Sequence, residues 1–185
     1  MMDRNIVLIG FMGSGKTAVG RALARLTGRK MIDLDKIIED RERMSVAAIF
    51  KKYGERKFRD IEHREVRALS RVSDSVIAVG GGAAVFSRNR LWIRKAGIVV
   101  YLRVPLAVLV RRLVRSRARP LINPAEGSKT AVTKIVRALL RKRVGAYIRT
   151  ANIIVNGGTG NTDTVARRII KLVKSKYGGR SLAGM

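Results

Sequence analysis

The segment Gly10–Thr17 constrains this chain more than any other feature. It reads GFMGSGKT and matches the phosphate-loop pattern G-x-x-x-x-G-K-[ST]. An apolar run, Asn5–Gly10, leads into it and predicts a buried strand, and Lys16–Leu26 follows with helical periodicity. Glycines let backbone N–H groups turn toward phosphates, and the following helix points its N-terminal dipole at them. In this pattern the lysine reaches the β- and γ-phosphates and the threonine hydroxyl binds Mg²⁺. The segment therefore predicts an ATP and Mg²⁺ site whose nucleotide-binding residues are Gly13, Ser14, Gly15, Lys16, Thr17 and Ala18.

Apolar runs alternate with amphipathic segments along the rest of the chain. Four further strands are predicted, at Lys30–Asp35, Val76–Val79, Ile98–Val104 and Asn152–Val155. The predicted helices between and after them are Lys36–Arg43, Val46–Tyr53 with Ser45 as its cap, Glu55–Arg71, Ser87–Lys95, Pro105 to about Ser116, Thr130–Thr150 with a bend near Gly145, and Asp163 to about Lys176. Five strands alternating with helices predict an α/β fold with a five-stranded parallel sheet and helices on both faces.

The length of 185 residues suits one α/β domain. We expect a single domain over residues 1–176 and a disordered tail over 177–185, with a substrate-binding excursion at about 36–57 and a mobile lid at about 117–129. The phosphate loop alone does not distinguish a kinase from a nucleotide-hydrolysing switch or motor. A short domain with a basic, proline-containing loop is typical of a small-molecule kinase, whose lid excludes water from the phosphates.

The charge of the chain is strongly positive, with 40 Lys and Arg against 13 Asp and Glu and a net charge of +27. One interpretation is a basic surface that binds nucleic acid or an anionic membrane. The other is a compositional bias spread over solvated helix faces, together with an arginine-rich anion site. Basic residues occur from Arg4 to Arg180 without a block of pure charge, so we favour the second interpretation and expect no nucleic-acid partner.

The length of the apolar runs and the cysteine content indicate where the protein is located. No apolar run approaches the roughly 18 to 20 residues of a membrane helix, so no membrane partner is expected. Cysteine is absent, which excludes disulfides and thiolate metal sites. We therefore expect a cytoplasmic protein, and we expect it to be a monomer.

Two groups of residues are candidates for the acceptor side of a transfer reaction. Asp33 and Asp35 end the second predicted strand, where positions i and i+2 share a face and where ligands bind in parallel sheets. One carboxylate can hold Mg²⁺ through water, and the other can bind substrate hydroxyls and take a proton. The alternative is a pair of turn-forming aspartates. The run Gly80–Gly82 follows the third strand and indicates either close approach by a ligand or a tight strand exit.

The chain resembles the shikimate kinases from about Ile6 to Val173. Segments in matching order and spacing carry this resemblance: GFMGSGKT at Gly10–Thr17, DLD at Asp33–Asp35, SVAAIF at Ser45–Phe50, GERKFRDIE at Gly54–Glu62, GGGA at Gly80–Ala83, RPL at Arg119–Leu121, and RxxxY at Arg143–Tyr147. The resemblance implies a P-loop kinase of the nucleoside-monophosphate-kinase type. It also implies ATP-dependent phosphorylation of the 3-hydroxyl of shikimate, a step of aromatic amino-acid biosynthesis.

The resemblance also implies roles by position. Shikimate would be held by Asp35 on its ring hydroxyls, by Arg59 and Arg143 on its carboxylate, and by the backbone of Gly81 and Gly82. The catalytic residues would be Lys16, Asp35 as the base, and Arg119, which would descend with the lid onto the phosphates. The remaining implied roles are magnesium binding for Thr17 and Asp33, flanking of adenine for Arg112 and Asn161, and orientation of Arg59 for Glu62.

The chain departs from the family pattern in two places. Gly145 and Ala146 stand where the family usually has proline and leucine, and the loop Gly157–Asn161 lacks an arginine that is often found there. Two other functions remain open: a kinase for another small polyol acid such as gluconate, and a nucleotide-dependent nucleic-acid-binding protein.

Overall fold

A parallel β-sheet forms the centre of the protein. The computed structural model describes residues 4–115, 129–158 and 160–178. Within these ranges the sheet has five strands in the order β2-β3-β1-β4-β5, and every neighbouring pair is parallel. Their bounds are β1 Asn5–Ile9, β2 Lys30–Asp33, β3 Ser75–Ala78, β4 Gly97–Arg103 and β5 Ile153–Asn156. The predicted five-stranded parallel sheet is confirmed.

Helices cover both faces of this sheet. Their bounds are α1 Lys16–Thr27, α2 Leu34–Glu42, α3 Val46–Ala68, α4 Ser87–Ala96, α5 Leu106–Val114, α6 Lys129–Thr150 and α7 Thr162–Tyr177. Alternate residues of β1 enter two separate cores, because successive side chains of a strand point to opposite faces. Val7 and Ile9 pack with α2 to α6, whereas Ile6 and Leu8 pack with α1 and α7.

The strand order determines where the chain can build a site. β1 lies in the middle of the sheet, between β3 and β4. The chain moves from β1 to the β2 edge, returns through β3, and then crosses to β4 on the other side of β1. Ligands of open α/β sheets bind at such a switch point, beyond the carboxyl ends of the strands. The segments that follow β1, β2, β3 and β4 therefore surround one location.

The second strand is shorter than predicted. β2 ends at Asp33 and α2 begins at Leu34, whereas the sequence pattern predicted a strand through Asp35. The cause is a helix cap: a carboxylate oxygen of Asp33 accepts a hydrogen bond from the backbone N–H of Asp35 at 3.1 Å. The expectation that both aspartates share a strand face is therefore wrong. Asp35 reaches its position from the first turn of a helix.

The predicted cap at Ser45 and the predicted interruption at Gly54 are both confirmed in α3. No interruption is seen near Gly145 in α6, where a bend was predicted. Ser45 caps α3 by accepting from the N–H of Ala48 at 3.1 Å, and Gly54 interrupts it with a non-helical backbone at φ 76° and ψ 173°. α6 runs from Lys129 through Gly145 to Thr150 as one helix.

The predicted lid lies outside the described residues except for Lys129. Tyr177, predicted as part of the tail, is the last residue of α7. No helix among the described residues is long and apolar enough to cross a membrane.

Candidate active site

The loop between β1 and α1 has the backbone of a phosphate cradle. Gly13 and Gly15 have φ angles of 76° and 88°, in the left-handed region that favours glycine. A Cβ atom at Gly13 would also lie 3.4 Å from the side chain of Leu113. These conformations turn successive N–H groups inward, and α1 begins immediately after Gly15. The loop and the N-terminus of α1 therefore form an anion site.

Lys16 and Thr17 project from the start of α1 in two directions. The Lys16 ammonium donates to the carbonyl oxygens of Gly10 at 3.0 Å and Phe11 at 3.3 Å, so it lies across the loop. The Thr17 hydroxyl donates to a carboxylate oxygen of Asp33 at 2.7 Å. A hydroxyl and a carboxylate that meet beside the cradle are hard oxygen ligands of the kind Mg²⁺ uses together with substrate phosphates.

A cleft of about 440 Å³ opens above this loop. Every nucleotide-binding residue predicted in the loop lines it, and so do Asp33 at the end of β2, Asp35 in the first turn of α2 and Gly81 after β3. The cleft is also lined by Arg112 and Leu113 of α5, by Gly157, Gly160 and Asn161 between β5 and α7, and by Thr162 and Val165 of α7. The cleft thus combines a phosphate cradle with candidate acceptor groups.

Arg112 and Asn161, predicted beside adenine, have distinct local roles. The Arg112 guanidinium donates to the carbonyl oxygen of Gly13 at 3.0 Å, which ties α5 to the phosphate loop. The Asn161 side chain caps α7 by accepting from the N–H of Thr164 at 2.8 Å. Both line the cleft. Arg119, predicted to act from the lid, lies outside the described residues.

The Gly80–Gly82 turn packs closely against side chains of this chain. A Cβ atom at Gly80 would lie 2.8 Å from a carboxylate oxygen of Asp35 and 3.1 Å from one of Glu62. At Gly82 it would lie 2.6 Å from the Arg59 guanidinium. Real Cβ atoms essentially never come as close as 2.6 or 2.8 Å to another atom, so side chains at Gly80 and Gly82 would displace Asp35 and Arg59. The glycines permit close approach by side chains of this chain, and approach by a ligand stays a prediction.

The turn also contacts the phosphate loop. A Cβ atom at Gly81 would lie 3.1 Å from the backbone nitrogen of Met12. The hydroxyl of Tyr147, on α6, donates to the carbonyl oxygen of Gly81 at 2.5 Å. Tyr147 is completely buried, and burial raises the pKa of its hydroxyl above the ordinary value. The hydroxyl therefore remains a hydrogen-bond donor at neutral pH.

Arg59 is held in a buried acidic and aromatic setting. Its side chain is only 8% exposed, and its guanidinium pairs with Glu55 and Glu62, each at 3.0 Å. The rings of Phe58 and Phe86 lie 5.1 and 4.8 Å from the guanidinium carbon. These contacts hold the planar guanidinium in one orientation. The predicted orienting contact from Glu62 is present.

Glu62 is itself a buried carboxyl group. Burial raises its pKa above the ordinary value, and nearby Asp35 adds to the rise. The Coulombic attraction and hydrogen bond of Arg59 oppose this effect, followed by the charge of Arg143. The pKa of Glu62 therefore responds to Asp35, Arg59 and Arg143, the three side chains that the family resemblance assigned to shikimate.

Arg143, on α6, lies near Glu62 and the phosphate loop. It is four residues before Tyr147, and its guanidinium carbon is 5.6 Å from the centre of the Phe11 ring in the phosphate loop. The structure thus brings Arg59, Gly82 and Arg143 close to Asp35 and Gly81. Of these five residues, Asp35 and Gly81 line the cleft and the other three do not. Two contacts were absent from the sequence predictions, the Glu55–Arg59 pair and the Tyr147–Gly81 hydrogen bond. The first could have been found from the i, i+4 spacing; nothing in the sequence pairs Tyr147 with Gly81.

The fold and this site define a P-loop kinase of the nucleoside-monophosphate-kinase type. A sequence profile of the shikimate kinase family matches residues 12–174. The chain belongs to the shikimate kinase family.

Individual relatives agree with this family membership. A shikimate kinase of Geobacter sulfurreducens is 43% identical over 78% of this chain and 77% of its own. One of Nitrosococcus oceani is 37% identical over 97% of this chain and 92% of its own. Among solved structures, shikimate kinase from Acinetobacter baumannii in complex with shikimate has a TM-score of 0.87 and 34% identity, covering 95% of this chain and 96% of that one.

Proposed function

We propose that this protein transfers the γ-phosphoryl group of ATP to the 3-hydroxyl of shikimate, giving shikimate 3-phosphate and ADP in aromatic amino-acid biosynthesis. Membership of the shikimate kinase family supports this activity. The observation that carries it in this chain is the contact between the two halves of the site. Gly81, within the acceptor turn, packs against Met12 of the phosphate loop.

The proposed acceptor site recognises a small hydroxylated acid. Arg59 and Arg143 bind its carboxylate, the backbone of Gly81 and Gly82 contacts its ring, and Asp35 binds its hydroxyl groups. During transfer a bond forms between the 3-oxygen and the γ-phosphorus, while the bond from that phosphorus to the β–γ bridging oxygen breaks. Asp35 accepts the hydroxyl proton. The electron pair of the broken bond stays on ADP.

The proposed donor site works by position and charge. The loop N–H groups and Lys16 hold the phosphates, and Arg119 adds positive charge where negative charge develops. Arg112 and Asn161 flank the adenine. Such a site does little covalent chemistry, because most of the rate gain in phosphoryl transfer comes from alignment and neutralisation.

We also propose that Mg²⁺ accompanies ATP. The residues fit this ion, because the Thr17 hydroxyl and the Asp33 carboxylate meet at 2.7 Å beside the cradle. Among the described residues no group of three or more acidic or histidine side chains could hold a metal alone. That agrees with an ion bound chiefly through phosphates and water, as is usual for Mg²⁺. When bound, the ion neutralises charge on the β- and γ-phosphates.

A coupled assay of ADP release tests the activity. Purified protein with ATP and Mg²⁺ should turn over with shikimate and not with gluconate, the other small polyol acid considered above. A Lys16→Ala variant measured beside it controls for contaminating kinases. The proposal would be refuted if the folded protein released ADP with gluconate but not with shikimate, or if it released no ADP with either acid.

We propose further that the enzyme is a cytoplasmic monomer, which sedimentation at several concentrations and cell fractionation can check.

A further inference from the structure

The positive charge is distributed unevenly over the folded protein. Only two of the 13 acidic residues, Glu126 and Asp163, follow Asp74, whereas more than half of the 40 Lys and Arg residues do. Residues after Asp74 form β3, α4, β4, α5, α6, β5 and α7. These elements include the β4–β5 side of the sheet, whereas α2 and α3 bear most of the acids. Among the described residues the acidic side chains are therefore concentrated on α2 and α3, and the β4–β5 side of the sheet, with α5, α6 and α7, is strongly basic.

A groove on this basic side is separate from the active-site cleft. It has a volume of about 490 Å³ and lies where the end of α1 meets the C-terminal half of α7. Its lining consists of two apolar residues, Leu26 and Ile170, and three basic ones, Arg167, Lys171 and Lys174. The cleft above the phosphate loop uses the other end of α7, from Asn161 to Val165.

The three basic residues of the groove form one row, which we call the α7 basic row. Their spacing of four and three residues places Arg167, Lys171 and Lys174 on one face of the helix. At a rise of about 1.5 Å per residue the row spans roughly 10 Å. All three are exposed, and no ion pair is formed by any of them with another described residue.

The single acid of α7 does not neutralise this row. Asp163 is paired with Arg25 of α1 at 2.6 Å, one turn before the row begins. Arg168 and Lys176, on another side of α7, donate to backbone carbonyls at the two ends of β5, so they are occupied by the sheet edge. None of the described residues that line the groove is acidic, and Asp163, four residues before Arg167, is paired with Arg25. The potential along the groove is therefore positive and complementary to a linear polyanion.

We propose that the α7 basic row binds the phosphate backbone of duplex nucleic acid, independently of base sequence. No aromatic side chain is among the described residues that line the groove, so they offer no base stacking, which supports single-strand binding. A membrane surface fits less well, because the apolar face of α7, at Val165, Ala166, Ile169 and Val173, is buried in the core rather than free to enter lipid. Rows of Lys and Arg that neutralise phosphates are sufficient for sequence-independent binding.

A charge-reversal pair tests the location. Binding of the full chain to a fluorescein-labelled 20-base-pair DNA duplex is measured by anisotropy at 50 and 200 mM KCl. Lys171→Glu with Lys174→Glu should weaken binding about tenfold or more at 200 mM KCl. It should also reduce the dependence of log K on log salt by roughly 2, since each phosphate contact contributes about 0.9. An unlabelled duplex of different sequence should compete equally well.

The matched control is Lys30→Glu with Arg71→Glu, which changes the net charge by the same amount. Both residues are exposed, and Lys30 lies on β2, at the opposite edge of the sheet. This variant should weaken binding less than about threefold. Equal weakening by the two variants, or no binding by the unchanged protein at 200 mM KCl, would overturn the proposal. So would a K171E/K174E variant that binds the duplex normally but no longer sediments with anionic vesicles. Retained kinase activity and circular dichroism establish that the variants are folded.

Discussion

The buried hydroxyl of Tyr147 donates to the carbonyl oxygen of Gly81 at 2.5 Å and thereby connects α6 to the turn that follows β3. Gly81 in turn packs on the backbone of Met12. One hydrogen bond thus fixes the position of a residue that lies between the nucleotide loop and the proposed shikimate site. The side chain need not touch either substrate to influence both.

Replacing Tyr147 with Phe should weaken acceptor binding more than nucleotide binding. The carbonyl of Gly81 loses its donor, which costs about 1–3 kcal/mol of stability. We expect the KM for shikimate to rise about three- to tenfold and the KM for ATP to change less than twofold. Steady-state kinetics and chemical denaturation measure these effects. Tyr101→Phe is the control, because its ring lies 5.1 Å from that of Tyr147 but does not bond to Gly81. A variant with unchanged KM for shikimate would contradict this role.

Arg59→Lys tests whether the held guanidinium recognises a carboxylate. Lysine keeps a positive charge beside Glu62 but lacks the planar fork, so the substitution avoids leaving a buried acid without a cation. The KM for shikimate should rise about 10- to 100-fold, with the KM for ATP nearly unchanged. Arg56→Lys, an exposed position on the same helix, should change neither constant. Parallel losses for shikimate and ATP would indicate a general structural role instead.

Much of the fold could be predicted from the sequence because the relevant signals are local. Buried strands such as Ile98–Val104 read as continuous apolar runs, and caps such as Ser45 have characteristic side chains. Asp35 shows where local signals fail. The same acidic residue suits the end of a strand and the first turn of a helix, and only the capping bond from Asp33 decides between them.

The candidate site could be predicted only in part, because some of its residues are adjacent in the sequence and others are far apart. The phosphate loop is a continuous segment, so its function follows from its own residues. Arg59, Gly82 and Arg143 are far apart in sequence, and residue physics alone could not select these arginines among the 40 basic residues. The family resemblance selected them. The Tyr147–Gly81 bond spans 66 positions and required the folded chain. The uneven distribution of acidic residues is visible in the sequence, and only its placement relative to the sheet depends on the strand order.

The raised pKa of Glu62 predicts a pH-dependent contribution to stability. Its ordinary value is 4.5, and burial raises the pKa in the folded protein. The folded state therefore holds the proton more tightly than the unfolded chain. The contribution of Glu62 is greatest below pH 4.5 and declines as the pH rises through the folded pKa. The attraction and hydrogen bond of Arg59 oppose the rise in the pKa of Glu62 without reversing its direction.

A Glu62→Gln variant should lack this decline. The unfolding free energy of the unchanged protein minus that of the variant should decrease as the pH increases from about 4.5 to 8, measured by urea denaturation. Glu55→Gln removes the other acidic partner of Arg59, but Glu55 is 58% exposed. It should change stability by at most about 1 kcal/mol at any pH. A difference that increases with pH for Glu62→Gln would show that its pKa is lowered, against the expectation.

Asp33→Asn tests the proposed magnesium site. Asparagine caps a helix as well as aspartate does, so α2 should still begin at Leu34. The variant loses the charge that faces the Thr17 hydroxyl, and such supporting groups usually change metal affinity by about 10- to 100-fold. We expect the Mg²⁺ concentration for half-maximal activity to rise by about tenfold at fixed ATP. The KM for shikimate should change less than about twofold. Asp40→Asn, which removes an exposed carboxylate of the same helix, should leave the magnesium requirement unchanged. If Asp33→Asn and the unchanged protein require the same Mg²⁺ concentration, Asp33 does not support the ion.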